Sequence, residues 1–104
     1  MPNDRLRQLK ADLLKALGQP TRLKILELLA DGERCVCEIF PAIQGEQSNT
    51  SKHLSFLRSH GIVIAERRGM RVFYRLADQR IVRLLDDVEA CVRGGLKTKA
   101  SLVA

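Results

Sequence analysis

Two of the chain's three cysteines stand one residue apart, Cys35 and Cys37, in the stretch ERCVCEIF at residues 33–40. Thiolates are soft donors and select soft, thiophilic ions. Neighbouring thiols can also be oxidised together, and a free cysteine can simply pack as a small hydrophobe. Spacing constrains the first option. In a continuous helix, residues two apart point about 200° away from one another, whereas in extended chain they share one face. For Cys35 and Cys37 to hold one ion, the backbone there must leave regular helix or lie outside it. The third cysteine, Cys91, falls on an apolar stripe with Leu84 and Val88. That suits packing at a dimer interface, yet Cys91 is also the only thiol left to complete a three-sulfur site.

A second set of residues suits a different chemistry. Gln47, Ser48, Asn49, Ser51, Lys52 and His53 crowd about two helical turns with hydrogen-bonding side chains, most of them short and uncharged. Such groups match base edges better than they serve solvation. Arg67, Arg68 and Arg71 follow, gathered around Gly69 and Met70, and arginines on a hairpin suit phosphates or a minor groove. No Ser-His-Asp, Walker-type or paired-carboxylate arrangement stands out, so no catalytic residue is assigned. A Cys-X-Cys pair can exchange disulfides, but an oxidoreductase would want a thioredoxin-like βαβ framework, which this helix-rich pattern lacks. The residues predict a protein that is not an enzyme. A metal carrier without DNA contact would leave the arginine hairpin unexplained.

Bulk properties agree with a small nucleic-acid binder. The 104 residues make one domain near the low end for a single core. Apolar residues are 45% of the chain, with no Trp and only four aromatics, so the core must be aliphatic. A chain of this size gains stability by dimerising. Net charge is +6, and residues 44–75 supply +4 of it; a positive field attracts polyanions, nucleic acid first. No apolar run approaches the roughly 18–20 residues that span a bilayer, and the charged start MPNDRLRQLK lacks a signal-peptide apolar stretch. The expectation is a soluble, cytoplasmic chain with no membrane partner. An odd cysteine count in a reducing compartment argues against a disulfide framework.

The elements that must position these residues follow from apolar periodicity. Leu6, Leu9, Leu13 and Leu17 predict a helix over 4–17, ended by Gly18. Pro20 suits the first turn of a second helix, whose stripe is Leu23, Leu26 and Leu29, widened by Ile25 and Leu28 and stopped by Asp31-Gly32. A short third helix is expected over about 35–43, with Pro41 in its first turn or kinking it. Gly45 makes a turn, and a polar helix starts near Glu46 or Gln47, burying Thr50, Leu54 and Leu57 and ending at Gly61. IVIAERRGMRVFYRL alternates about a break at Arg68-Gly69-Met70, as a β-hairpin does. Asp78 can cap a last helix striped by Ile81, Leu84, Leu85, Val88, Cys91 and Val92, with Asp86, Asp87 and Glu89 as its solvated face. This order is that of a winged helix-turn-helix, mainly α with a small β-hairpin. Its polar helix would enter a major groove leading with its N-terminal residues.

Residues 12–92 closely resemble the ArsR/SmtB family of metal-sensing bacterial repressors, most nearly its arsenic-responsive members. The resemblance rests on LGQPTRLKILELLADGE, CVCEIF, EQSNTSKHLSFLRSHGIV and RRGMRVFYRL, in that order. Ser48, Ser51, His53 and Leu54 look like the family's recognition-helix signature, and CVC looks like the thiol box of its arsenic and cadmium/lead sensors. The resemblance implies one domain over 1–104, homodimeric through its first and last helices. It implies binding to operator DNA without a cofactor, and release when an inducer binds Cys35 and Cys37. Arsenite or antimonite is the expected inducer, with cadmium, lead or thiol oxidation as alternatives. Chelation would strain or unwind the start of the third helix, which positions the recognition helix. Three departures bear on the ligand set. Phe40 stands where the best-known arsenic sensors carry a third cysteine, and residues 1–34 hold no cysteine for an N-terminal arm. The only histidines, His53 and His60, lie near the recognition helix, so the family's zinc and cobalt site on the last helix is absent. A two-cysteine site completed by water or an exogenous thiol is therefore expected, with Cys91 open as a further ligand.

Overall fold

Leucine spacing and the residues that interrupt it set the order of elements. The structure, a computed structural model, describes residues 3–43 and 47–95. Along the chain run α1 (Asp4–Leu17), α2 (Pro20–Leu29), β1 (Arg34–Cys35), α3 (Val36–Ala42), α4 (Gln47–Ser59), β2 (Val63–Arg68), β3 (Arg71–Leu76) and α5 (Arg80–Arg93). Pro20 is the first residue of α2, and the Gln19 side chain before it accepts the Arg22 N–H at 2.8 Å, satisfying one donor that a helix start leaves open. Asp78 serves α5 in the same way, accepting the Arg80 N–H at 2.9 Å from one position before the N-cap Gln79. The expected turn at Gly45 and a helix start at Glu46 lie outside the described residues.

α2, α3, α4 and the sheet close around one aliphatic core. Ile25, Leu26 and Leu29 meet Ile39, Leu54 and Leu57, with Val63, Tyr74 and Leu76 covering them from the sheet. Ile25 takes the interior position on α2, and Leu23 and Leu28 are only half-buried. Thr50, Leu54 and Leu57 form the buried edge of α4, as their spacing predicts. The terminal helices behave differently. α1 sends only Ala16 and Leu17 into the core, leaving Leu6, Leu9 and Leu13 substantially exposed, and α5 buries Ile81 while Val88 and Val92 stay open. Contiguous bare apolar faces of this kind mark interaction surfaces.

The sheet corrects the expectation of a lone hairpin. β2 and β3 do pair antiparallel, Arg68 opposite Arg71, around a two-residue turn. Gly69 has φ 64° and Met70 does not share that left-handed backbone, so the glycine meets the demand of the tight turn alone. A third strand completes the sheet in the order β1-β3-β2, with Arg34 opposite Tyr74 and Cys35 opposite Phe73. Two residues carry no visible alternation, so nothing local announces β1. Pro41 lies inside α3, towards its C-terminal end rather than in its first turn. Its missing N–H removes one of the few hydrogen bonds so short a helix has.

Candidate nucleic-acid interface and thiol site

Cys35 ends β1 and is also the N-cap of α3, with extended backbone (φ −68°, ψ 144°). Cys37 is the second residue of the helix. This junction meets the requirement that the pair leave regular helix. The change from strand to helix brings the two Cα atoms to 5.1 Å, and the sulfurs are joined as a disulfide. That separation lies in the ordinary range of about 4.4–6.8 Å for bridged cysteines. An extended N-cap followed at once by a helical turn makes the two side chains face each other.

Cys35 is buried, whereas Cys37 is exposed. The Glu38 carboxylate accepts the Cys35 N–H at 2.9 Å, and Cys35 Sγ accepts the Cys37 N–H at 3.2 Å. This is a reciprocal cap with sulfur where a hydroxyl usually stands. Arg34 donates to the Leu28 carbonyl at 3.2 Å and lies 3.7 Å from Glu38, tying the start of α3 to the end of α2. Phe40 packs half-buried against the core, and Cys91 is exposed on α5. Among the described residues no three His, Cys, Asp or Glu side chains converge to hold a metal ion. Within one chain, the described residues bring Cys35 and Cys37 together without a third donor.

Gln47, Ser48, Asn49, Ser51 and Lys52 are all exposed along the first turns of α4, opposite its buried edge. His53 departs from this set. It is half-buried, and its Nδ1 lies 3.4 Å from Arg22 Nη1. Burial, and then the charge of Arg22, hold its pKa below the usual histidine value. The ring is therefore neutral near pH 7, with Nδ1 the acceptor for a guanidinium that can only donate. Arg22 lies in the stretch LGQPTRLKILELLADGE, but nothing in its spacing marks it as functional, and its role emerges only from the packing. It donates to the carbonyls of Ala16 at 2.6 Å and Lys15 at 3.1 Å, and lies over the Phe56 ring at 4.2 Å. It satisfies carbonyls that the end of α1 leaves open while bracing α4 from behind.

The hairpin's arginines divide. Arg67 and Arg71 are exposed near the tip and make no ion pair among the described residues. Arg68 reaches back to Glu33 with two hydrogen bonds of 2.6 and 2.7 Å, donates to Glu66 at 3.0 Å, and lies 4.8 Å over the Phe73 ring. Glu66 also accepts from Arg75 at 3.2 Å. The hydrogen bonds that Arg68 donates to Glu66 and Glu33 push its pKa up, and the same donation, with help from Arg75, holds the Glu66 carboxyl below its usual value. The sequence grouped the three arginines as one basic patch; a partner far along the chain singles out Arg68. No helix among the described residues is long and apolar enough to cross a membrane.

Comparison with known proteins supplies an independent line. The family model described as bacterial regulatory protein, arsR family, matches residues 19–65, which include the thiol pair and all of α4. The HTH-type transcriptional repressor SmtB of Mycobacterium tuberculosis is 39% identical over 79 residues, 76% of this chain and 58% of that protein. The arsenic resistance transcriptional regulator ArsR2 of Pseudomonas putida is 42% identical over 66 residues, 62% of this chain and 57% of that one. The chain thus spans somewhat over half the length of these two relatives. A solution structure from Mycobacterium bovis, titled a homodimeric winged helix-turn-helix DNA-binding domain and a possible ArsR-family regulator, superposes with a TM-score of 0.78. It is 36% identical, with 89% of this chain and 88% of that one covered.

Proposed function

The chain belongs to the arsR family of bacterial regulatory proteins, and from that premise we propose a homodimeric repressor that binds operator DNA and is released when arsenite or antimonite binds Cys35 and Cys37. It is a regulator rather than an enzyme. One observation carries the assignment of the sensor. The two sulfurs meet at the junction where β1 becomes α3, just ahead of the helix whose exposed face offers Gln47, Ser48, Asn49, Ser51 and Lys52. Once two electrons from a cellular thiol have reduced the disulfide, the pair's soft thiolates suit a thiophilic ion. One relative is named an arsenic resistance regulator, and cadmium or lead would want a fuller thiolate set. Water or an exogenous thiol completes the coordination.

The Cys35 sulfur is the cap of α3, accepting the Cys37 N–H. Committing its lone pair elsewhere takes an acceptor away from that helix start, a loss of roughly 0.5–2 kcal/mol for ordinary caps. α3 has seven residues and an internal proline, so it has little helical stability of its own to resist the change. A shift of α3 displaces α4, and a dimer then no longer presents both reading helices at operator spacing.

A second reading has an observation of its own. The disulfide between Cys35 and Cys37 is what a thiol-redox regulator would form, two thiols giving up two electrons and two protons to a peroxide, which leaves as water. Titrating a labelled promoter complex with arsenite, antimonite, cadmium, lead and hydrogen peroxide separates the two. Release by arsenite at micromolar levels, lost in both Cys35→Ser and Cys37→Ser, is the expected result. Release by peroxide alone would make oxidation the signal, and release of the double serine variant by arsenite would put the sensor elsewhere.

A further inference from the structure

A hairpin that meets DNA through charge would be expected to keep its arginines free. Arg68 is instead held on three sides, by Glu33, Glu66 and the face of Phe73. The two-pronged contact with Glu33 joins groups 35 positions apart, and a paired fork of this type is geometrically specific as well as charge-assisted. Glu33 directly precedes β1, whose two residues pair with β3 at Tyr74 and Phe73. A two-residue ladder alone would let the hairpin swing about it. Arg68, beside the tip turn, reaches back across β3 over Phe73 to Glu33, which lies past Arg34 on the side of the ladder away from the tip. This second tie between the hairpin and the chain before β1 removes that freedom.

We propose that Glu33 and Arg68 form a latch that sets the pose of the hairpin on DNA, Arg68 being a positioning residue that acts through Glu33 rather than a phosphate contact. The proposal rests on reading the chain as an operator-binding regulator whose hairpin lies along phosphates. Moving Arg68 onto a phosphate would break its fork and bring Glu33 and Glu66 against a like charge. Arg67 and Arg71, exposed and without ion pairs among the described residues, carry the phosphate contacts.

Counterion release distinguishes the roles, since each phosphate contact adds about 0.9 to the slope of log affinity against log salt concentration. The experiment measures anisotropy of a labelled operator duplex, recovered by selection from a random library, across a series of KCl concentrations. Glu33→Gln and Arg68→Ala should each weaken binding by about two- to fivefold, the range of an exposed ion pair, with the slope of the wild type. The exchanged pair, Glu33→Arg with Arg68→Glu, should recover most of the loss. Arg71→Ala should instead lower the slope by about one. All the substitutions fall at three exposed positions, Glu33, Arg68 and Arg71, and unchanged unfolding midpoints verify the fold. Tighter binding by Glu33→Gln, a slope lowered by about one in Arg68→Ala, or an exchanged pair no better than the single variants would each overturn the latch. A wild-type slope in Arg71→Ala would take the hairpin off the phosphates, so that the underlying reading fails and the latch with it.

Discussion

In α2 and α4, the side chains of Ile25, Leu26, Leu29, Leu54 and Leu57 are at most 1% exposed, whereas Leu9 and Leu13 on α1 and Val88 and Val92 on α5 keep 38–49% of their surface. The apolar residues recur at helical spacing in both regions. In the middle of the chain three helices and a sheet cover one another, and at the ends nothing among the described residues covers the stripe. Periodicity therefore states that a face will be buried, not what will bury it. In the homodimer proposed above, a second copy of the chain would cover the terminal helices, and its two-fold axis would also set the spacing of the reading helices.

The harshest way to break this contrast is to charge the open face. Leu9→Glu with Leu13→Glu should leave a folded monomer whose operator affinity falls about 10²- to 10⁴-fold, as two-site engagement is lost. Sedimentation with anisotropy checks both points, and a dimer that persists would show that α1 is not the interface. Next in size is Leu57→Ala, which opens a cavity in the sealed region and should cost about 2–5 kcal/mol of unfolding free energy, a large share of the 5–15 kcal/mol typical of a domain. Val88→Ala should act instead through association, making Tm more dependent on protein concentration. Denaturant melts at several concentrations of both variants separate a packing loss from an association loss.

The cysteines sharpen the comparison, because Cys35 belongs to the sealed region and Cys91 to the open one. Cys91→Ser should leave arsenite-induced release intact and loosen the dimer by no more than a few-fold. X-ray absorption without added thiol should find two sulfurs around arsenic in the wild type and in the variant. Three sulfurs falling to two would make Cys91 a ligand. The smallest effect concerns His53, on the braced side of α4. Its folded pKa lies below the unfolded value of about 6.5, so the unfolded chain takes up its proton first as pH falls. Its contribution to stability is complete above about pH 6.5 and declines as pH drops through that value. The urea midpoint should therefore fall more between about pH 7.5 and 5.5 in the wild type than in His53→Gln; equal falls would mean that Arg22 and burial leave the ring unperturbed.

The same division explains what could be read beforehand. The ranges of α1, α2, α4 and α5 and the hairpin at Gly69 were legible because spacing, caps and turn residues are local. The chemistry was legible as residue types: two thiols, a short polar face on α4, a cluster of arginines. Their partners were not. His53 meets Arg22 from another helix, Arg68 meets Glu33 from before the sheet, and Cys35 lies in a strand defined only by Tyr74 and Phe73. Each pairing depends on where distant segments cross, and spacing within one segment carries no trace of it. Glu38 was the one local hint at the site, standing three residues after Cys35 where a capping box wants a carboxylate.

β1 carries a consequence for the order of assembly. β2 and β3 close across a two-residue turn, but Arg34 finds Tyr74 from about forty residues away. Closing a long loop costs more chain entropy than closing a short one, and non-local pairings wait on it. The hairpin can zip by itself, leaving β1 to dock onto a finished edge. A segment that arrives last under these conditions also leaves first, in the partial openings a protein makes well below the free energy of complete unfolding. The thiol pair thus rides on the part of the sheet that docks last, and an inducer held there, as proposed above, would need to favour only a local opening while the rest of the fold stays closed.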